Sequence, residues 1–208
     1  MKYGFKKSKI DGTEMEFEVK NGIRVPEKYS YVNYLPNVLD QGSRPICVPC
    51  SLSSFINYKL NVEDGENKRD NNIDYNGIYG SRTTVDDDGM SFKDAFKYLR
   101  HDGVKTDKGK VKVGRYAKIG SQIQLKQAIL LNGPCLGALP VYNSMRKDFW
   151  NKYLNDNLEG GHAIAIVGYN DKGFIIRNSW GKSYGTDGYA VMPYEDFSSF
   201  IELWTVFE

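Results

Sequence analysis

Cys47 and His162 are the residues of this chain best equipped for covalent chemistry. A thiol attacks a carbonyl carbon only as thiolate, and an unassisted cysteine has a pKa of about 8.5. Cys47 sits where a helix should begin, and the unsatisfied amides of a helix N-terminus favour an anion there. The chain has two histidines. His162 lies in Gly160-Gly161-His162-Ala163-Ile164, where glycines permit close approach and a following strand would hold the imidazole. Asn178 follows at the end of the next expected strand, where its oxygen could accept the imidazole N–H and fix the ring. Trp180 could shield that bond from water. Gln41, six residues before Cys47, could place an amide N–H beside the helix N-terminus and, with the Cys47 backbone N–H, stabilise a tetrahedral oxyanion.

The elements that must position these groups are readable. Leu52, Phe55, Ile56, Lys59 and Leu60 recur at helical spacing, and Pro49 is tolerable only in a first turn, which predicts a helix from Cys47 to Leu60. Ser91 ahead of Ala95, Phe96 and Leu99 predicts a second helix ending near Gly103. A third runs from Ser121 to Leu131, with Gly133-Pro134 as its stop. Beyond Gly133 the periodicity shortens, and Leu136–Val141, His162–Tyr169, Gly173–Arg177 and Gly188–Met192 read as strands. Helices first and strands second make an α+β chain. Residues 1–25 form a separate N-terminal extension, with Asp11-Gly12 as a hairpin signal. Residues 26–36 run extended between Pro26 and Pro36.

Composition narrows the function classes. Of the residues 40% are hydrophobic and 26% charged, which is globular, and 208 residues suffice for one domain or two small lobes. Twenty-eight basic against 26 acidic residues give a formal charge of +2, no electrostatic case for nucleic acid or an anionic membrane. No apolar run approaches a membrane span, and Met1–Asp11 lacks the apolar core of a signal peptide. Three cysteines do not make a disulfide framework, so the expected setting is reducing: cytoplasmic or virion-associated. No metal or organic cofactor is expected. Asp86-Asp87-Asp88 lacks the alternating ligand spacing of a calcium loop and reads as solvated. His101 reads as a solvated residue at a helix end, and Cys135 as core.

Asp40-Gln41-Gly42-Ser43-Arg44-Pro45-Ile46-Cys47 resembles the nucleophile segment D-Q-G-x-x-G-S-C of the papain-like cysteine peptidases. Gly161-His162-Ala163-Ile164 resembles that family's histidine segment, and Asn178-Ser179-Trp180-Gly181 through Gly188-Tyr189 resembles its asparagine segment. Gly89 to Gly103 is similar to its second helix. Four motifs in order cover roughly residues 26–208.

The resemblance implies a papain-like two-lobed fold: a helical lobe over about 40–131, a β-sheet lobe over about 132–208, and an active-site cleft between them. It also implies a polypeptide substrate, a Cys47–His162–Asn178 triad and a thiolate–imidazolium pair. Gly89, Met90 and Gly161 would line the substrate. The sequence departs from the pattern at Pro45-Ile46, where Gly-Ser is usual, and at Val48 and Tyr184, where Trp is usual. With no long propeptide, the chain resembles trimmed bacterial or viral members. Residues 1–25 are then either a short inhibitor lying in the cleft or a docking segment for a regulatory partner.

Three further readings follow from the same residues. Cys47-Val48-Pro49-Cys50 also fits a thiol–disulfide oxidoreductase, which needs a strand directly before the motif. A Cys47–Cys50 disulfide could silence a peptidase under oxidation. The departures around Cys47 also fit an inactive binding protein on a peptidase scaffold.

Overall fold

A computed structural model describes residues 3–83 and 88–207. Asp86 and Asp87, read above as part of a solvated acidic loop, lie outside the described residues. The elements in chain order are β1 (Met15–Glu16), β2 (Tyr29–Ser30), α1 (Cys47–Glu63), α2 (Tyr75–Gly80) and α3 (Phe92–His101). Then come β3 (Val104–Thr106), β4 (Gly109–Val111), β5 (Arg115–Lys118), α4 (Gln122–Asn132) and β6 (Cys135–Tyr142). The chain ends with β7 (Leu158–Tyr169), β8 (Gly173–Arg177), β9 (Tyr189–Pro193) and β10 (Glu202–Phe207). One sheet runs β1-β5-β10-β6-β7-β8-β9, with β2 added beside β7, while β3 and β4 form a separate ribbon. Among the described residues, only the β1–β5 pair of the large sheet is parallel.

The helix starts follow from their caps. Ser91 and Ser121 each accept the amide of the residue three positions on, at Asp94 and Gln124, satisfying one orphan donor of each first turn. Helix α1 has no such cap: Ile46 precedes it and no side chain bonds its first amides. Those amides stay available to whatever lies at that end, which is the Cys47 thiol.

Residues alternating along β7 divide the interior. Ala163, Ala165 and Val167 join the core around Leu52, Ile56, Phe92, Phe96 and Trp204, while Ile164 and Ile166 join a second core with Leu125, Ile129, Phe149 and Phe174. Side chains of successive strand residues point to opposite faces, so one strand serves both cores. The alanines on the first face are small, which lets α1 lie close against β7. That approach carries Cys47 to the β7 segment beginning at His162. Arg177, buried at the end of β8, donates to the Pro36 and Asn37 carbonyls (2.9 and 3.0 Å) and fixes the chain leading to α1.

The N-terminal extension departs from the sequence expectation. No hairpin forms at Asp11-Gly12. The Asp11 carboxylate instead accepts the Thr13 amide and hydroxyl (3.0 and 2.6 Å), a local turn using the residues that signalled a hairpin. The chain then continues to β1, beside β5. Before that turn, residues 3–6 lie along residues 89–90 as a parallel bridge: Met90 donates to the Gly4 carbonyl (2.8 Å) and accepts from the Lys6 amide (3.0 Å).

Candidate active site

The sequence-predicted site residues converge. The amides of Ala163, Gly4, Val48 and Cys47 itself all bear on the Cys47 thiol, so the nucleophile candidate touches the residue directly after His162. His162 Nε2 lies 2.7 Å from Asn178 Oδ1, and the Ser179 amide donates to the same oxygen at 2.7 Å. An atom accepting a backbone N–H is the amide oxygen, so Nε2 must be the protonated ring nitrogen. Nδ1 is left with a bare lone pair, buried and without a hydrogen-bond partner. A general base needs such a nitrogen.

Aromatic rings enclose the imidazole. Trp180 stacks on it with centroids 4.5 Å apart and planes at 25°, and Phe149 meets it edge-on at 5.7 Å. Tyr184 packs edge-on against Trp180, and its hydroxyl donates to the Lys147 carbonyl. Gln41, 2% exposed, donates from Nε2 to the Arg44 carbonyl (2.9 Å) and accepts the Ser179 hydroxyl on Oε1 (2.6 Å). A primary amide carries two N–H bonds, so one donor of Gln41 stays available beside the start of α1. Ser179 therefore ties the Gln41 turn to the Asn178 turn. A lone serine in a tryptophan-rich segment gives no sign of that role in the sequence.

Gly89, Met90 and Gly161 line a track, and the N-terminal chain fills it. Phe5 lies against Phe92 with centroids 5.6 Å apart, and a Cβ added to Gly161 would sit 2.6 Å from the Phe5 ring. Gly89 has φ +109°, a conformation side chains rarely adopt, and a Cβ there would meet the Gly4 carbonyl oxygen at 2.9 Å. On the far side of Cys47, Tyr3 rests against Gly160 and the Trp180 ring and donates to Met145 Sδ (2.9 Å). Cys47 and His162 are both 0% exposed beneath this segment. No sequence pattern pointed to Tyr3, Gly4 and Phe5 as the occupants.

Burial sets the protonation of the enclosed pair. Desolvation pushes the Cys47 thiol up to about 11, against the pull of the surrounding amides, first that of Ala163. It pushes His162 down to about 4, against the hydrogen bond to Asn178. The covered pair is therefore neutral thiol and neutral imidazole, where the sequence implied thiolate and imidazolium. Burial of both groups is the physical reason.

The pH consequence has a definite sign. His162 is a base whose value is depressed on burial, so its contribution to the covered state is complete above its ordinary value of 6.5 and is lost as pH falls towards 4. Acidification from pH 7 to 5 should favour uncovering roughly 20-fold if the exposed ring titrates normally. Asp11 and Glu14, the carboxylates nearest the segment's anchor, are both held below their ordinary values and stay charged over that range. With the intrinsic exchange rate at each pH divided out, protection of the Gly4 and Lys6 amides should fall over that range in the native chain and lose this dependence in His162→Gln.

A model of the papain family of cysteine proteases matches residues 75–201, well over half of the chain and including His162, Asn178 and Trp180. The chain belongs to that family. The segment carrying Gln41 and Cys47 precedes the matched residues. Among curated relatives, a mimivirus peptidase C1-like protein of uncharacterised function is 36% identical over 80 residues, covering 34% of this chain and 26% of that one. Mouse cathepsin K is 26% identical over 199 residues, covering 81% of this chain and 60% of that one. The chain thus spans between a quarter and about three-fifths of these relatives. Among solved structures, xylellain, a cysteine protease from Xylella fastidiosa, superposes with a TM-score of 0.82 at 23% identity, over 99% of this chain and 95% of that one. A procathepsin B from Trypanosoma congolense gives 0.75 at 13% identity, over 94% and 82%. These structural likenesses establish the papain-like α+β fold, which agrees with the architecture expected from the sequence.

Proposed function

We propose that this chain is a cysteine peptidase that cleaves peptide bonds with Cys47, His162 and Asn178, and that residues 3–6 hold it latent. The carrying observation is the tautomer of His162. Asn178 Oδ1 accepts the Nε2–H and leaves Nδ1 unprotonated, while the amide of the next residue, Ala163, bears on the thiol at the start of α1.

In the open site the Cys47 proton passes to His162 Nδ1 and Sγ attacks the substrate carbonyl carbon. The free N–H of Gln41 and the Cys47 amide meet the charge that develops on the carbonyl oxygen. Collapse of the intermediate breaks the C–N bond, with the Nδ1 proton going to the departing amine and a thioester remaining on Cys47. Water then attacks the thioester, giving a proton to Nδ1; the C–S bond breaks, the new carboxylic acid leaves, and Nδ1 returns the proton to the Cys47 sulfur. Trp180 and Phe149 keep bulk water from the Nε2–H···Oδ1 bond throughout.

The N-terminal chain is a poor substrate in its own cleft because of what it presents. The group of this segment that bears on the thiol is the Gly4 amide N–H. An amide hydrogen on the sulfur blocks attack without offering an electrophile.

The oxidoreductase reading loses support from the fold. A turn at residues 42–44, not a strand, precedes Cys47, and the three cysteines are free. The inactive-scaffold reading is tested by a peptidyl epoxide with the modified residue mapped by mass spectrometry. Slow but selective modification of Cys47 in the native chain supports the peptidase; alkylation of Cys47 only after denaturation, even once the segment is released, counts against it.

Lys93 of α3 anchors the segment. Its side chain is mostly buried, donates to the Lys9 carbonyl (3.0 Å) and pairs with Asp11 (3.1 Å) and Glu14. Lys93→Ala should speed Cys47 modification at least threefold: the Asp11 pair is solvated and screened, but the buried Glu14 carboxylate also loses its cation. Raising ionic strength should move the native rate the same way and leave the variant unchanged.

A further inference from the structure

Tyr184 stands where the resembling motif carries Trp, and its hydroxyl can do what an indole cannot. The turn from Gly181 to Gly188 folds back over the asparagine. The Asn178 amide donates to the Gly188 carbonyl (3.0 Å), and the Gly188 amide donates to the Tyr184 carbonyl (2.8 Å). The Tyr184 ring therefore stands beside the triad, edge-on to Trp180 with centroids 5.4 Å apart and 6.1 Å from Phe149. Its hydroxyl hydrogen is committed to the Lys147 carbonyl (2.5 Å). Burial raises the hydroxyl above its ordinary range, so that hydrogen stays in place. A phenol oxygen that has given its hydrogen away can only accept from any other neighbour.

That neighbour is Asn178. Its Oδ1 lies between the His162 ring and the Ser179 amide. Nδ2 is buried and makes no full hydrogen bond, yet the side-chain amide bears on the Tyr184 hydroxyl. Bonds of this kind are often long in a resting site and tighten with substrate bound. A flipped Asn178 would set its NH₂ against Nε2, moving the ring proton to Nδ1, where it blocks receipt of the thiol proton. The flip would also press Oδ1 on an oxygen with no hydrogen to offer. We propose that Tyr184 is a positioning residue of this site: its hydroxyl accepts Nδ2–H of Asn178 and so holds His162 in the tautomer with Nδ1 bare. The inference rests on the triad reading and adds a member to it. Donation runs one way, from Nε2–H to Oδ1, from Nδ2–H to the phenol oxygen and from that hydroxyl to Lys147, so each bond polarises the next. An indole nitrogen only donates and could not take the middle place.

Tyr184→Phe keeps the ring and deletes the oxygen alone. Nitrogen-15 spectra read the tautomer without turnover, with two histidines to assign. His162 should show Nε2 protonated and Nδ1 bare in the native chain, and Tyr184→Phe should admit the other tautomer to about one part in ten, as loss of one hydrogen bond allows. Kinetics use Gly4→Val, because a Cβ at residue 4 would lie 2.8 Å from Pro45 Cα and displace the covering segment. In that background Tyr184→Phe should lower kcat about five- to tenfold at unchanged KM. It should have no effect once Asn178 is replaced by alanine. That comparison separates positioning from simple support of the Lys147 loop, which would matter in both backgrounds. Unchanged spectra in Tyr184→Phe, or an equal loss of kcat with and without Asn178, overturns the proposal. If the tautomer shifts and no variant cuts a peptide, the hydrogen-bond chain stands while the peptidase reading falls. Should Gly4→Val not fold, Lys93→Ala loosens the same segment and carries the same kinetics.

Discussion

Gly4→Val should turn a quiescent chain into an active peptidase, raising the rate of Cys47 modification and of peptide turnover by about 10- to 100-fold. The estimate follows from the cost of overpacking, roughly 1–3 kcal/mol where neighbours can adjust, with tenfold for each 1.4 kcal/mol. Here the neighbours are the Pro45 backbone atoms, so the upper end is expected. The loss should fall on the covered state alone. Once released, residue 4 belongs to an exposed terminus that tolerates any side chain. A gain of function separates this from ordinary core damage, which lowers stability and activity together. The check is turnover by the variant alongside its thermal midpoint. Higher turnover with a modest drop in midpoint supports latency; a large drop with no turnover refutes it.

Phe5→Ala should act in the same direction through a different cause. It removes a ring 9% exposed, packed on Phe92, and so forfeits apolar burial worth roughly 2 kcal/mol without any clash. Agreement between a clash and a deletion would locate the effect in the segment, not in a distorted Pro45 wall.

Much of this site is legible in the sequence, because chemistry constrains it tightly. A nucleophile at a helix start, a base after paired glycines and an orienting amide one strand later restrict both residue type and order. Helices α3 and α4 begin one residue after Ser91 and Ser121, since a capping serine is a local device visible locally. The strands found by alternation match β6 to β9 within a few residues. What escaped was set by distant partners. β5 and β10 pair inside the sheet although far apart in the sequence, and the β3–β4 ribbon is too short for periodicity to register. Ser179 matters only because Gln41 comes to it from 138 positions away. Phe149 lies between elements, in a stretch with no pattern, and finds His162 only once β6 and β7 have paired. Tyr3-Gly4-Phe5 reads as an arbitrary terminus until Pro45 and Gly89 stand on either side of it. The Asp11-Gly12 signal was real but local: a side chain two residues away took up the turn.

In the Gly4→Val background, His162→Ala should lower kcat by about 10³-fold or more. Removing one member of a nucleophile–base unit costs far more than its own contacts, because the remaining members act only together. Two losses combine. Nδ1 no longer accepts the thiol proton, and it no longer returns a proton to the departing amine. The second loss gives the test its resolution. A thioester or activated-ester substrate has a good leaving group and needs little acid assistance, so the variant should retain more activity on esters than on amides. Asn178→Ala should show a smaller defect, about 10²-fold, since the imidazole remains but its Nε2–H loses the acceptor that selects the tautomer. Gln41→Ala should follow a third pattern. It deletes an N–H needed only when charge has formed on the substrate oxygen, so turnover should drop roughly 10²- to 10³-fold while alkylation of Cys47 by iodoacetamide, which forms no oxyanion, stays near the parental rate. If all three variants slowed alkylation and turnover alike, the residues would be holding the cleft's shape, and the division of roles among them would be wrong.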